Sequence, residues 1–492
     1  MSKIQKGRGV FIGGAWRSGN AGTLQSSDPR TNEPFFITST ASSSQVDEAS
    51  HVAQRAQMLW AAKSLEERVK LVSAFGQISQ TSAMAELISR ESGKPLWEAQ
   101  TEVKALAGKV EPSVSAFRAR AGNIQFKQGD DAEVITKFAP MGVVAVVSPF
   151  NFPVHMANGH IIPALLAGNT VIWKPSELTP ACAELYTKYW EEAGLPTGAL
   201  NLLQGDGAVG ARLTQAPGID AVYFTGGTIA GKKIAQSCLA SGKLAVLEMG
   251  GDCSIIVGTI NRNDFAAAAN IVLQSAFITA GQRCTTARRL LLTESAAHSD
   301  FLDYVVAVAR QLRVDPHSNE AFYGCLTDPR AATDVLKFQR TLIKNGGQAL
   351  MESESSETSK NLLTPGILLD AETNFHLTCE SMGPLLRVFR TKDFSSSITL
   401  ANRSPMRLAA AVITSDDREQ ALAGSQLDYG NVNFNQNSTG NSAWGSFGGY
   451  GDSGNHRPSG FLATDYCVKA QAVFVRKTLP APAVLPGLSV GH

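Results

Sequence analysis

Four short, continuous apolar segments separated by helical patterns are the feature that most restricts the possible fold of this chain. The segments are residues 143–147, 169–173, 221–224 and 244–247. Helical patterns at about 179–193 and 228–240 lie between them. Continuous apolar strands that alternate with helices are typical of a parallel sheet covered by helices on both faces. Ligands of such sheets bind beyond the carboxyl ends of the strands, so polar residues there are candidate site residues.

A second series of the same kind begins after Gly251 and indicates a second α/β unit. Its strands are expected at residues 254–257, 289–292, 408–414 and 432–435. A chain of 492 residues exceeds the length over which one hydrophobic core keeps growing, so several domains are expected. We predict a first domain formed by residues 1–122 and 144–250, and a second formed by residues 251–460.

Residues 123–143 differ from both series, because two alternating segments flank Gly129-Asp130 as in a β-hairpin. An exposed hairpin leaves strand edges that need a cover. Together with residues 461–492, which include one more possible strand, this segment is predicted to form an oligomerisation element. The expected assembly is a homodimer or a homotetramer.

Composition excludes several classes of function. The 44 basic and 43 acidic residues give a net charge of +1, which favours neither a nucleic-acid partner nor a membrane surface. No apolar run is long enough to span a membrane, and no signal peptide is apparent. The seven cysteines form no metal-ligand spacing, so no metal site is expected. Dispersed cysteines in a chain without an apparent signal peptide predict reduced thiols and a cytoplasmic location.

Cys284 is the candidate nucleophile. An apolar helical pattern leads to Gly281, which frees the backbone to turn just before the cysteine. Arg283, Arg288 and Arg289 lie nearby in sequence, and cations of this kind can stabilise the thiolate, the nucleophilic form of cysteine. The alternative is an inert buried cysteine, which is the more common role of this residue type.

Two further residues could complete an acyl-transfer site. Glu248 ends an apolar strand just before Gly250 and Gly251, which places a possible general base at a rigid strand end. Asn151 lies between two phenylalanines, where its amide could donate to an oxyanion or could only tie down its loop. With Cys284, these residues would supply the nucleophile, base and oxyanion donor that chemistry through a thioester requires.

The ends of two other predicted strands carry candidate cofactor-binding residues. Thr225 and Gly226 end one strand, and Gly227 and Gly231 follow at the start of a helix, where a phosphate could bind. Glycines at such turns are common, so this signal alone is weak. Residues 174–177 end the other strand and are more informative.

Lys174 could reach a ribose or a phosphate, and Glu177 beside it would favour ribose hydroxyls and disfavour a 2′-phosphate. A solvated lysine with a capping glutamate is the alternative, and residue type alone does not decide between the two. Glu380 also precedes a turn, and by itself this residue is expected at the surface.

With these residues in place, the chain resembles the NAD(P)-dependent aldehyde dehydrogenase superfamily along nearly its whole length. The motifs in order are P-F-N-F-P, K-P-S-E-x-T-P, F-T-G-G, L-E-M-G-G, F-x-x-x-G-Q-R-C and G-P-L-L-R-V. Within the superfamily, it resembles the N-succinylglutamate 5-semialdehyde dehydrogenase family of the arginine succinyltransferase pathway. The segments that carry this finer resemblance are residues 158–169, 274–289, 453–459 and 465–467.

The resemblance implies a Rossmann-type cofactor domain, a second α/β catalytic domain and the small β oligomerisation element. It implies that Cys284 attacks the aldehyde, that Asn151 and the Cys284 N–H hold the oxyanion, and that Glu248 activates water. It further implies that NAD is the cofactor. Lys174 and Glu177 would then bind the adenosine ribose, residues 225–231 the pyrophosphate, and Glu380 the nicotinamide ribose.

A succinylglutamate semialdehyde carries two carboxylates, so its pocket needs cations or backbone donors. The candidates are Arg283, His456 and Arg457, each of which could instead have a purely structural role. Three positions depart from the family pattern: Gly227 replaces a serine, Met382 replaces a phenylalanine, and Asp252-Cys253 replaces a pair ending in asparagine. The alternatives are a dehydrogenase of another semialdehyde, a CoA-acylating or acyl-phosphate-reducing relative, and a non-catalytic protein of the same fold; Glu248 argues against the second.

Overall fold

The computed structural model describes residues 4–128, 131–357, 359–371, 374–375, 380–479 and 485–488. Several helices begin at capping residues that the sequence supplies. At the start of α2, the Ser64 hydroxyl accepts from the Glu67 N–H, and the Glu67 carboxylate accepts from the Ser64 N–H. The α-helices are α1 (Ser43–Ala61), α2 (Leu65–Ile78), α3 (Ser82–Ser92), α4 (Leu96–Gly108), α5 (Val110–Arg120), α6 (His155–Leu166), α7 (Pro180–Glu192), α8 (Gly207–Gln215), α9 (Thr228–Ala240), α10 (Phe265–Phe277), α11 (Ala296–Ala309), α12 (Pro329–Lys344), α13 (Phe394–Asn402), α14 (Asp417–Gln426) and α15 (Ala463–Cys467).

The strands form two large sheets and several small ones. Up to residue 250 they are β1 (Gln5–Lys6), β2 (Val10–Ile12), β3 (Ala15–Arg17), β4 (Gly22–Ser27), β5 (Pro34–Thr40), β6 (Ile124–Lys127), β7 (Ala132–Pro140), β8 (Val143–Val147), β9 (Thr170–Lys174), β10 (Leu200–Leu202), β11 (Ala221–Gly226) and β12 (Leu244–Met249). The later strands are β13 (Cys253–Val257), β14 (Ala287–Thr293), β15 (Gln348–Met351), β16 (Gly366–Asp370), β17 (Leu385–Thr391), β18 (Met406–Arg407), β19 (Ala409–Ile413), β20 (Asn431–Phe434), β21 (Ser446–Phe447), β22 (Tyr450–Gly451), β23 (Ser459–Gly460) and β24 (Val468–Arg476).

The first large sheet has the order β12-β11-β8-β9-β10-β2-β3. Strands β8 to β12 run parallel, and β8 and β9 are buried along their whole length because helices cover both faces. The N-terminal hairpin of β2 and β3 pairs antiparallel at the edge of this sheet. The parallel sheet predicted from the four apolar segments is confirmed.

The second large sheet has the order β15-β16-β17-β14-β13-β19-β20, and its strands are parallel except for β15 at one edge. Its core is separate, formed by α10, α11 and α12 against β13, β14 and β17. The predicted mixed α/β architecture with a second α/β unit is therefore confirmed.

A third, antiparallel sheet has the order β24-β7-β6. Strand β24 pairs with β7 along its full length, from Val468 opposite Pro140 to Arg476 opposite Ala132. The predicted hairpin is present as β6 and β7, although Gly129-Asp130 at its tip lies outside the described residues. Phe126 and Phe474 are exposed on this sheet.

One expectation about local structure is wrong. The amphipathic pattern from Pro95 to about Arg120 predicts one long helical stretch, but the structure has two helices: α4 ends at Gly108 and α5 begins at Val110. Pro112 lacks an N–H and its ring opposes the carbonyl four residues earlier, which interrupts a continuous helix there. The Ser/Glu-rich segment at 352–360 is predicted from its composition to be a solvated loop, and five of its eight described residues are exposed, while Ser353 and Ser359 are buried.

The chain reaches Cys284 through a turn of left-handed backbone. Thr279, Ala280 and Gly281 have φ of 58°, 52° and 71°, a region that residues with a Cβ seldom occupy. A Cβ at Gly281 would lie 2.1 Å from the Gly383 carbonyl oxygen, so only glycine fits at this position. Among the helices of the described segments, none has the length and apolar character of a membrane span.

Replacing Gly281 with alanine should therefore destabilise the protein and displace the cysteine segment. Left-handed strain together with the close approach to Gly383 should lower the free energy of unfolding by at least about 2 kcal/mol. Urea denaturation followed by tryptophan fluorescence measures this change. The control is Gly207→Ala at the first residue of α8, where a Cβ meets nothing within 4 Å. Equal stability of both variants would contradict this account of the turn.

Candidate active site

A cavity of about 340 Å³ brings together residues that are far apart in sequence. Glu248 at the end of β12 and Cys284 both line it. Side chains from α4 and α6 and the segments at 439–443 and 459–460 complete the wall. The carboxyl-end edge of the first large sheet, where the sequence predicts ligand binding, thus faces the segment that carries Cys284.

Cys284 is half-buried, and its side chain packs against the cluster of Cys253, Leu408 and Ala409. Burial raises the pKa of the Cys284 thiol to about 12, and the nearby carboxylates of Glu380 and Glu248 contribute to this rise. The backbone N–H groups at positions 284 and 285 act in the opposite direction. The thiol is therefore protonated at neutral pH in the free protein, and the expectation of a thiolate stabilised by arginines is wrong.

The three arginines around Cys284 are engaged elsewhere. Arg283 pairs with Glu98 at 3.0 Å, and Arg289 forms a buried ion pair with Asp252. Arg288 donates to the carbonyls of residues 251, 281 and 283 and lies 3.6 Å from the Met382 sulfur. Buried guanidinium groups need acceptors for their fixed donors, so these cations hold the backbone around the cysteine rather than its sulfur.

Glu248 is buried at the end of β12, with only one of its oxygens hydrogen-bonded. Its Oε1 accepts from the Ser459 N–H at 3.2 Å, while Oε2 has no hydrogen-bond partner among the described residues. Burial raises the pKa of this carboxyl group to about 8, and the Ser459 bonds and the Lys109 charge oppose the shift. A carboxyl group with this pKa exchanges protons near neutral pH, as a general base must.

Asn151 is buried, and its side chain joins the two loops that meet at the cavity. Its Nδ2 donates to the Gln282 carbonyl at 2.8 Å, and its Oδ1 accepts from the Phe152 N–H at 3.1 Å. A side-chain amide has two N–H donors, so the second remains for another acceptor. The Asn151 amide is therefore hydrogen-bonded to the backbone two residues before Cys284, and its second N–H is available to another acceptor.

Two buried carboxylates on α4 hold the same two loops, and sequence reasoning missed both. Glu98 accepts from Arg283 and from the Thr279 hydroxyl. Glu102 pairs with Lys94 at 3.0 Å, and its other oxygen accepts from the N–H groups of residues 154 and 155, just after Asn151. A signal was present, because these acidic residues occupy the apolar stripe of α4 with Ala99, Val103 and Leu106.

Most of the predicted cofactor residues lie at or just after the carboxyl ends of β9 and β11. Lys174 is buried, its ammonium is 3.3 Å from Glu177, and burial lowers the pKa of this lysine. Thr225 shares a hydrogen bond of 3.1 Å with His160. Gly227 precedes α9, where an added Cβ would meet nothing within 4 Å. The space beside Gly227 at the start of α9 is thus open, as an anion site at a helix start requires.

Two other predicted glycines have packing reasons for lacking a side chain. A Cβ at Gly226 would lie 2.5 Å from the Phe224 ring, and one at Gly231 would lie 2.5 Å from the Met249 sulfur. Gly231 therefore allows α9 to approach β12 closely. Only Gly227 of the three leaves unoccupied space beside it.

Glu380 is partly buried rather than at the surface, where residue type alone placed it. A Cβ on Gly250 would lie 1.9 Å from its carboxyl carbon, so the carboxylate packs directly against the backbone just after Glu248. Burial raises the pKa of Glu380 to about 7, and Arg288 and the Gly251 N–H oppose this shift. Its Oε1 is buried without a hydrogen-bond partner in the described segments, which leaves an acceptor for a ligand hydroxyl.

The three predicted substrate residues do not share one cavity. Arg283 lines the cavity with Cys284. His456 and Arg457 are exposed and line a second cavity of about 130 Å³ on the other side of Glu248. His456 stacks on Tyr450, with ring centroids 5.5 Å apart.

Lys109 also lines the Cys284 cavity, and no sequence pattern singled it out. The histidines at 155 and 160 line the cavity too, and burial lowers the pKa of each to about 3, so both are neutral. Within the described residues, no group of acidic, histidine or cysteine side chains is arranged to hold a metal ion.

Comparison with known proteins places this geometry in a family. The sequence profile of the Aldehyde dehydrogenase family matches residues 16–473. An N-succinylglutamate 5-semialdehyde dehydrogenase of Ectopseudomonas mendocina is 41% identical over 488 residues, covering 98% of this chain and 99% of the relative. An enzyme of the same name from Chromobacterium violaceum is 42% identical over 486 residues, covering 97% and 99%.

The fold agrees with solved structures as well. An NAD-dependent aldehyde dehydrogenase from Sinorhizobium meliloti superposes with a TM-score of 0.91 at 25% sequence identity, covering 98% of this chain and 96% of that one. HpcC from Thermus thermophilus superposes with a TM-score of 0.92 at 27% identity, covering 97% and 95%. With the family profile and two relatives matching nearly end to end, the chain belongs to the aldehyde dehydrogenase family.

Proposed function

We propose that this protein oxidises N-succinyl-L-glutamate 5-semialdehyde to N-succinyl-L-glutamate with NAD, as a step of arginine catabolism. The observation that carries the chemistry is that Cys284 and Glu248 line one cavity, with the amide of Asn151 tied to the segment of the cysteine. The names of the relatives at about 40% identity over almost the whole chain support this substrate.

In the first half-reaction, the sulfur of Cys284 attacks the aldehyde carbon. Because the pKa of the thiol is about 12, the proton must leave the sulfur during or before attack. Glu248 is close enough to raise that pKa, and its own pKa of about 8 suits it to accept the proton and to release it to solvent before the second half-reaction. The free N–H of Asn151 and the N–H of Cys284 then stabilise the oxyanion of the thiohemiacetal.

The residues at the strand ends fit NAD. Lys174 and Glu177 would bind the adenosine ribose, the start of α9 at Gly227 the pyrophosphate, and Glu380 the nicotinamide ribose through its unpaired Oε1. NAD supplies the acceptor for the hydride that leaves the thiohemiacetal. The carboxylate of Glu177 beside Lys174 disfavours the 2′-phosphate of NADP by charge repulsion.

In the second half-reaction, Glu248 removes a proton from the water that hydrolyses the thioester. Its Oε2, which has no partner among the described residues, is the oxygen available for that proton. Ser459 holds Oε1 and so orients the carboxylate. Burial keeps a fraction of the carboxyl groups protonated at pH 7, so this step should speed up as the pH rises through about 8.

We also propose a homodimer or larger homo-oligomer in the cytoplasm. The sheet β24-β7-β6 supports assembly, because Ile124, Phe126 and Phe474 are exposed on it. Exposed aromatic side chains on a sheet with open edges are typical of a surface that a partner covers. Residues 123–143 and 461–492 would then be the oligomerisation element, beside the cofactor and catalytic domains predicted above.

The first test measures NADH formation by the purified protein with N-succinylglutamate 5-semialdehyde, succinate semialdehyde and an unbranched aliphatic aldehyde. We expect the highest kcat/KM on the first substrate. Cys284→Ala should lower the rate at least about 1,000-fold, because no other group forms the covalent intermediate. Cys325→Ala, which removes a buried cysteine outside the cavity, is the control. A higher kcat/KM on another aldehyde would agree with the proposed chemistry but would overturn the proposed substrate.

The second test concerns Glu248. In Glu248→Gln, the amide can accept a proton neither from the Cys284 thiol nor from water, so both half-reactions should slow. We expect the burst of about one NADH per site to form more slowly than in the wild type, and turnover to fall roughly 100- to 10,000-fold. The wild type should show a hydrolysis rate that rises with pH through about 8, since deprotonated Glu248 is the active form, and the variant should lack this rise.

Glu86→Gln on α3, an exposed site, serves as the matched control and should keep both the rate and its pH dependence. Steady-state rates and quenched-flow measurement of the burst between about pH 6 and 9 distinguish the two variants. A Glu248→Gln protein that retains the pH-dependent rise would show that another group is the base.

The third test concerns assembly. Sedimentation velocity should give the mass of a dimer or tetramer, and Phe474→Lys should shift the protein towards monomer because it places a charge on the apolar face. Tyr304→Lys on α11, which also replaces an exposed aromatic residue, is the control. A monomeric wild-type protein would refute the proposal.

A further inference from the structure

Lys109 is a buried cation without a partner in the cavity of Cys284. It lies between α4 and α5, is only 7% exposed, and lines the same wall as Glu248. No hydrogen bond or ion pair to its ammonium group occurs among the described residues, and Glu248 is the charge that acts on it. A buried ammonium group without a partner costs free energy, so its presence needs an explanation.

The position of Lys109 is well defined. Its carbonyl accepts from the Ser113 hydroxyl at 2.8 Å, and its N–H donates to the Leu106 carbonyl at 3.4 Å. Its side chain passes over Gly159 of α6, where an added Cβ would lie 3.9 Å from Cε of the lysine. The break between α4 and α5 therefore directs the lysine side chain along α6 and into the cavity.

The other charged groups that line the cavity are already compensated. Glu102 is paired with Lys94 at 3.0 Å, and Arg283 is paired with Glu98 at 3.0 Å. The two histidines are neutral because burial lowers the pKa of each to about 3. Glu248 is mostly protonated and therefore neutral at pH 7, because burial raises its pKa to about 8. Lys109 is thus the uncompensated cation among the described lining residues, and it gives the cavity a preference for an anion.

Arg283 can help to bind an anion in the cavity without losing its structural role. Its Nε and Nη2 donate to Thr279 and Glu98, while no bond from Nη1 occurs within the described ranges. Its guanidinium carbon lies 5.0 Å from the centre of the Phe152 ring, which also lines the cavity. Lys109 and Arg283 thus offer two cationic donor groups in one cavity.

We propose that Lys109 binds a carboxylate of the substrate, with Nη1 of Arg283 available to the second, and that this selects acidic aldehydes. The inference rests on the proposed function in that it names the residues that recognise a dicarboxylate. A charge-assisted bond to a carboxylate also gives the buried ammonium the partner that the free protein lacks. Burial lowers the pKa of Lys109 to about 8, so it is still mostly charged at pH 7.

The test compares N-succinylglutamate 5-semialdehyde with its dimethyl ester, which has the same shape near the aldehyde and no charge. In Lys109→Met, the ratio of kcat/KM for the acid to that for the ester should fall roughly 10- to 100-fold, mainly through KM. Lys109→Arg should retain part of the ratio. Lys104→Met, which removes an exposed charge on the preceding helix α4, should keep the wild-type ratio.

Binding of the product N-succinylglutamate provides a measurement that does not depend on turnover. The thermal midpoint of the wild type should rise with the product, and that of Lys109→Met should not. Without ligand, Lys109→Met should be at least as stable as the wild type, because an unpaired buried charge is removed. A lysine with a purely structural role would instead make this variant less stable.

The outcomes separate the two proposals. The protein could oxidise another aldehyde faster and still be stabilised by the dicarboxylate through Lys109. That result would overturn the proposed substrate and leave this inference standing. Equal loss on acid and ester in Lys109→Met would show that the lysine acts only through Glu248, and would overturn the inference. A wild-type protein whose thermal midpoint does not respond to the dicarboxylate would overturn it as well.

Discussion

Two buried carboxylates on one helix hold the candidate active site together. Glu98 binds the left-handed turn before Cys284, and Glu102 binds the loop that follows Asn151. Residues four apart lie on the same face of a helix, so α4 presents both carboxylates to the two loops at once. Removing one partner of such a pair would leave a buried, unpaired charge. The free-energy cost of that charge is far larger than the stabilisation that the pair provides. The relative position of nucleophile and oxyanion donor therefore depends on this helix.

Burial, rather than nearby cations, sets the acid–base properties of the site. The pKa values of Cys284, Glu248 and Glu380 are all raised, chiefly because a charge on any of them must leave water, and nearby carboxylates add to the shifts of Cys284 and Glu380. In such an environment, protons are transferred between groups that are largely neutral near pH 7. Each charge that forms there interacts strongly with its neighbours. The arginines beside Cys284 instead satisfy backbone carbonyls and buried carboxylates.

Among the described residues, several polar groups near Cys284 have no hydrogen-bond partner, and three of them fit a component of the proposed reaction. Oε2 of Glu248 would face water, Oε1 of Glu380 a ribose hydroxyl, and the ammonium of Lys109 a substrate carboxylate. Buried polar groups are usually satisfied, so those that are not mark places where a ligand supplies the missing bond. The unpaired groups thus outline cofactor, water and substrate around Cys284.

The sequence by itself determined the parallel sheet, the second α/β unit, the hairpin and the family, because apolar strands, turn residues and ordered motifs are local patterns. The same patterns singled out Cys284, Glu248 and Asn151 as candidates. Only the tertiary structure decided which groups meet in one cavity: it brought in Lys109 and Glu98, and set His456 apart from Cys284. It also decided that the thiol is protonated, since burial and the distance between charges arise only when remote segments pack together.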